Sequence, residues 1–176
     1  MPIEQSKRPV AAARLVALAR SLLDASPLCA IATVSPGGRA HVNTAYFAWS
    51  PRFDVVWLSE PNATHSRNID ANDSVAIAVF ESEQTWGEPD RGIQLFGSAR
   101  MTKGATADEA ARVYKARFAG YEPDAVSAYC LYRFRPRRVK LFDERELGTG
   151  VFVTARVVGG GGLVWRRTDV YRGKAG

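Results

Sequence analysis

The chain has 176 residues, 46% of them apolar and 24% charged, with a net charge of +6 and a pI near 9.6. This is the composition of an ordinary globular domain, and no run approaches the ~20 apolar residues that a bilayer span requires. Arg14 and Arg20 interrupt the early apolar stretch, so no secretory signal is read and a cytoplasmic location is expected. Residues 1–9 read as a disordered tail. Val10 to Asp24 predicts a helix, because Leu15, Leu18 and Leu22 recur on one face; Ser26-Pro27 ends it. Leu28 to Val34 is a short apolar run before the turn Ser35-Pro36-Gly37-Gly38. Arg39 to Trp49 and Phe53 to Ser59 follow as extended runs, and the three predict an antiparallel meander.

Asn62 to Ala71 predicts a short helix with Asn62 as its cap. Ser74 to Phe80 is a fourth strand, apolar on both faces, and Ile93 to Met101 is a fifth. Thr106-Ala107-Asp108-Glu109 has the form of a capping box opening another helix. Tyr129 to Phe142 is a sixth strand. Val151 to Val158 and Leu163 to Tyr171 form a hairpin across four glycines, a connection expected to be mobile. Helices do not alternate with strands as a parallel sheet would demand. The expected fold is therefore mainly β: a closed antiparallel barrel with flanking helices over 10–145, and an extension over 146–176 packed on the barrel or on a partner subunit.

No GxSxG, Walker A, HExxH or dinucleotide-binding fingerprint occurs. The two histidines, His41 and His65, are far apart in sequence, and no metal site is expected. Cys29 and Cys130 form no CxxC pair and read as small buried hydrophobes. The informative stretch runs from Ser59 to Asn68. A strand ends on a hydroxyl, and a helix then begins with free N–H groups and a positive dipole end. Thr64, His65, Ser66 and Arg67 lie in its first two turns. Backbone donors, hydroxyls and a cation together make a phosphate cradle; a polar surface helix is the plainer alternative. The basic strand residues Arg133, Arg135, Arg137, Arg138 and Lys140 read either as a solvated face or as a site for an anion.

His65-Ser66-Arg67-Asn68-Ile69 resembles the Lys/His-x-Arg-Asn-Leu/Ile element of the pyridoxamine 5′-phosphate oxidase-like FMN-binding split-barrel superfamily. Ala32 to Val42 is similar to that family's first hairpin, Asp73 to Ala76 to its fourth strand, Gly92 to Arg100 to its fifth, and Tyr132 to Val139 to its late strand. The resemblance implies a six-stranded antiparallel split β-barrel, FMN as cofactor and a homodimer with the cofactor at the subunit interface. It implies that Ser59, Thr64, His65, Ser66 and Arg67 hold the flavin phosphate. Asn43 and Thr44 would lie along the ribityl chain or ring edge, and Trp86 and Gln94 near the ring. Two departures stand out. His65 occupies a position where many members carry lysine. The Arg-Leu-His-x-Arg substrate signature of the true oxidases is replaced by Arg138-Val139-Lys140-Leu141-Phe142-Asp143. The reading is an FMN-dependent oxidoreductase acting on an unidentified small molecule other than vitamin B6 phosphate. The alternatives are an F420-dependent reductase, a haem-binding split barrel, or a non-catalytic flavin- or nucleic-acid-binding module.

Overall fold

Side chains of a strand point to opposite faces in turn, and Leu28–Val34 buries Cys29, Ile31 and Thr33 while Leu28 stays exposed. The computed structural model describes residues 3–6 and 8–171, the side chain of Asp124 apart. Its strands are β1 (Ile3–Ser6), β2 (Leu28–Val34), β3 (Ala40–Trp49), β4 (Val55–Ser59), β5 (Ser74–Phe80), β6 (Arg91–Met101), β7 (Cys130–Asp143), β8 (Val151–Val158) and β9 (Gly162–Tyr171). The helices are α1 (Ala12–Asp24), α2 (Thr64–Ala71), α3 (Ala105–Arg117) and α4 (Glu144–Leu147). The sheet order is β1-β9-β8-β7-β4-β3-β2-β5-β6, and β6 also pairs with β7. That additional pairing closes β2 to β7 into a six-stranded antiparallel barrel, the fold expected of the sequence. Closure leaves no free edge among these six strands.

The chain divides into two compact units. Residues 27–77 and 96–136 form one. Here β2 and β3 make a hairpin with Ile31 opposite Asn43 and Thr33 opposite His41. β4 lies between β3 and β7, with Trp57 opposite Phe47 on one side and Tyr132 on the other. Phe47, Phe53, Val55, Trp57, Tyr132 and Phe134 are all fully buried. The Trp57 and Tyr132 rings stack at 5.7 Å. α3 covers a second cluster, placing Ala110 and Tyr114 against Ala48, Val56 and Leu131. At Gly97 a Cβ would lie 2.0 Å from the Arg135 carbonyl oxygen, so only glycine permits this approach of β6 to β7.

The described residues of the segments 3–26, 78–95 and 137–171 form the other unit. α1 buries Leu15, Leu18, Ala19, Leu22 and Leu23, a stripe of helical period. β8 and β9 form the expected hairpin, turning through a 3₁₀ segment at Gly159–Gly161 in which Gly160 and Gly161 take positive φ. The hairpin extends the sheet through β7, where Leu141 opposes Val153.

Three local expectations need correction. Ile3–Ser6, read as part of a disordered tail, instead pair with β9, Ile3 opposite Tyr171; residues 1, 2, 7 and 172–176 lie outside the described residues. Asn62 does not cap α2, whose N-cap is Ala63 with no side-chain bond. The Thr106 capping box does not form either. α3 starts after Gly104, and the Thr106 hydroxyl bonds the Lys103 carbonyl at 2.7 Å, closing the preceding turn.

Candidate functional site

The cradle is built where β4 hands over to α2. Pairing of β4 with β7 fixes Ser59 opposite Cys130 and buries it. The turn at Glu60 to Ala63 is held by the Ala63 N–H donating to the Glu60 carbonyl at 3.1 Å. It returns the chain so that the first turn of α2 faces Ser59. The Ser59 hydroxyl is 2.6 Å from His65 Nε2 and 3.1 Å from the Ser66 hydroxyl. Ser66, fully buried, donates to the Glu60 carbonyl at 2.7 Å. Each hydroxyl has one proton. With the Ser66 proton committed to Glu60, Ser59 is the donor between the two hydroxyls whenever they bond. Ser59 then accepts at its own oxygen, and His65 Nε2–H is the available donor.

The first helical turn leaves its N–H groups without intrahelical acceptors, and no side chain caps α2. These donors sit beside the Ser59–His65–Ser66 cluster, an arrangement suited to anionic oxygens. Asn68, also buried, donates from Nδ2 to the Thr33 hydroxyl at 3.0 Å and so ties α2 to β2. Thr33 in turn opposes His41 on β3. The result is a pair absent from the sequence reading: the His41 and His65 rings stack nearly parallel, 9° apart, with centroids at 6.4 Å. Burial, and secondarily His41, hold the His65 imidazole below its ordinary pKa. Only register could have revealed this neighbour, because 24 residues separate the two in sequence.

Other residues singled out from the sequence are placed as follows. Thr64 is exposed on α2, and Arg67 is exposed with Nη1 donating to the Asn62 carbonyl, outside the bonded cluster. Asn43 lies two residues from His41 on the same face of β3, and its Oδ1 is buried without a hydrogen-bond partner. That orphaned acceptor is where a bound group with an N–H or O–H would be satisfied. Thr44 is exposed on the opposite face. Trp86 and Gln94 belong to the other unit; Trp86 is 99% exposed and Gln94 half-buried on β6. Arg133 bridges Glu109 at 3.0 Å and Arg100 bridges Asp73 at 3.1 Å. The cavities bordering these arginines, of about 560 and 750 Å³, thus have much of their positive charge matched by acids. No group of three or more metal-ligating residues occurs among the described residues, and no helix is long and apolar enough to cross a membrane.

The family model for pyridoxamine 5′-phosphate oxidase matches residues 15–143. The chain belongs to the pyridoxamine 5′-phosphate oxidase family. Solved structures share the fold at low identity. A haem-binding protein from Mycobacterium smegmatis matches at 17% identity and TM-score 0.68, covering 86% of this chain and 60% of that one. HutZ, the haem storage protein of Vibrio cholerae, matches at 19% and 0.55, covering 68% and 89%. A pyridoxamine 5′-phosphate oxidase-like protein from Listeria innocua matches at 12% and 0.59, covering 72% and 97%. The chain spans 60% of the length of the first of these, and no curated protein matches it. The matched residues include the β4–α2 cradle, Ser59 to Asn68.

Proposed function

We propose that this chain binds FMN at the β4–α2 cradle and acts as a flavin-dependent oxidoreductase on a small molecule other than vitamin B6 phosphate. The observation that carries this reading is the Ser59–His65–Ser66 hydrogen-bonded cluster beside uncapped helical N–H groups. These residues, with Thr64 and Arg67 at the rim, would hold the phosphate. Asn43, with its orphaned Oδ1, would line the ribityl chain, the Thr44 side chain on the opposite face of β3 would meet the second copy of the chain, and Trp86 and Gln94 of the partner subunit would border the ring. FMN supplies hydride or electron transfer; the protein supplies position and electrostatics. No side chain is then required as a general acid or base, consistent with the absent hydrolytic motifs.

The same reading makes the protein a homodimer. On one face of β2 and β3, Leu28 opposes Tyr46, Ala30 opposes Thr44, Ala32 opposes Val42 and Val34 opposes Ala40. Val42 is 61% and Tyr46 58% exposed. A nearly all-apolar sheet face of this kind suits a second copy of the chain. The unpaired thiols Cys29 and Cys130 agree with a cytoplasmic setting.

Purified protein titrated with FMN should quench flavin fluorescence at a one-to-one ratio, whereas riboflavin, which lacks the phosphate, should bind at least ~10-fold more weakly. Equal binding of the two would remove the cradle from the account. Haem binding is the second reading, favoured by the fold shared with two proteins named for haem. A Soret band in place of a flavin spectrum would select it. The +6 charge also suits the acidic tail of F420, so F420 belongs in the same titration. A non-catalytic flavin- or nucleic-acid-binding module would instead bind its ligand without turnover.

A further inference from the structure

Resting on the reading of the β4–α2 cradle as an anion site, we propose that its affinity for a phosphate-like dianion is switched by pH through the stacked His41–His65 pair, strong in mild acid and weak in mild alkali. Neutral His65 has one N–H. In the tautomer the hydroxyl relay favours, Nε2 carries it to Ser59 across the 2.6 Å contact and Nδ1 presents only a lone pair, which repels an anionic oxygen. Protonated His65 donates from both nitrogens. Nε2–H then goes to Ser59, whose own proton turns to Ser66 or to the Glu60 carbonyl, at 3.1 and 3.3 Å. Nδ1–H is left for a ligand. Protonation thus converts the cluster from a closed relay into an outward donor carrying charge.

The neighbours decide how readily this happens. The titratable groups around His65 are His41 on β3, Tyr132 and Cys130 on β7, Glu60 at the entrance to α2, and Arg67 and Asp70 on α2 itself. Tyr132 is held above the ordinary phenol range chiefly by burial, so it contributes no charge. Burial and the facing His41 oppose a charge on His65. Two like charges 6.4 Å apart, partly shielded from water, are unfavourable. A dianion placed against both rings offsets that repulsion. By linkage, an anion that favours protonated His65 is favoured by it to the same degree. A lysine in place of His65 would keep its charge throughout this range, so the device depends on the histidine.

Inorganic sulfate is the suitable probe because it remains a dianion across the range, whereas phosphate esters titrate near pH 6. Sulfate displacement of FMN, and direct calorimetry in buffers of different ionisation enthalpy, should be measured from pH 5.5 to 8 on the full chain and on His65→Lys. The wild type should bind sulfate at least ~10-fold more tightly at pH 5.5 than at pH 8, with proton uptake. His65→Lys should bind with little pH dependence. Sulfate binding by the wild type that is flat with pH, or as steep in His65→Lys, would overturn the switch and leave the cradle standing. Failure of sulfate and FMN to bind at any pH would overturn the cradle itself.

Discussion

Ser59 is the residue on which the site turns. Its hydroxyl lies within hydrogen-bond distance of His65, Ser66 and the Glu60 carbonyl, and β4 pairing buries it. Ser59→Ala removes the hinge of the relay without adding bulk. FMN affinity should fall roughly 10-fold, in line with about 1.5 kcal/mol for a hydrogen bond in a charged site, while riboflavin affinity stays unchanged; fluorescence titration of both ligands checks this. His65 also leaves a mark on stability. Its folded-state pKa is depressed, so below its unfolded value near 6.5 the unfolded chain takes up more protons than the folded one. Stability from this residue is therefore full above about pH 6.5 and lost as pH falls through the folded pKa. Urea unfolding at pH 7.5 and pH 5 should show a loss for the wild type that is smaller in His65→Gln. An equal loss in both would dissociate the imidazole from the effect.

At the scale of elements, the close approach of β6 to β7 is the most constrained contact. Gly97→Ala would force a Cβ to 2.0 Å from the Arg135 carbonyl, and the strands would have to part where the barrel closes. A loss of about 3 kcal/mol is expected by urea unfolding, at the upper end of overpacking costs. Gly120→Ala, which meets nothing within 4 Å, should change stability by less than about 0.5 kcal/mol. Strand positions were legible in the sequence: β2, β5 and β8 fall where apolar, β-forming runs bounded by turn residues put them. Helix starts were not, because capping side chains had competing partners. Thr106 closes a turn with Lys103, and Ala63, not Asn62, begins α2. β1 was missed because it exists only by pairing with β9 from the far end of the chain; Ile3 is its one apolar residue. The chemistry of the cradle was legible as composition from Ser59 to Arg67. Its working geometry was not, since it depends on the β2–β3 register that brings His41 to His65, and on α2 turning Arg67 toward the Asn62 carbonyl.

The whole molecule brings two proposals together: that the exposed apolar face of β2 and β3 is a dimer surface, and that the bound group is a flavin. Val42→Glu combined with Tyr46→Glu puts charges into that face. Sedimentation should report a dimer for the wild type and a monomer for the variant, with FMN affinity reduced at least ~10-fold if the cofactor lies at the interface. An unchanged dimer would assign the face to something else. The most direct measurement for the central claim is the absorbance spectrum and mass of the small molecule that co-purifies with the protein. The protein should be yellow, with flavin bands, and should release FMN on denaturation. A Soret band with haem released, or F420 in place of FMN, would contradict that claim.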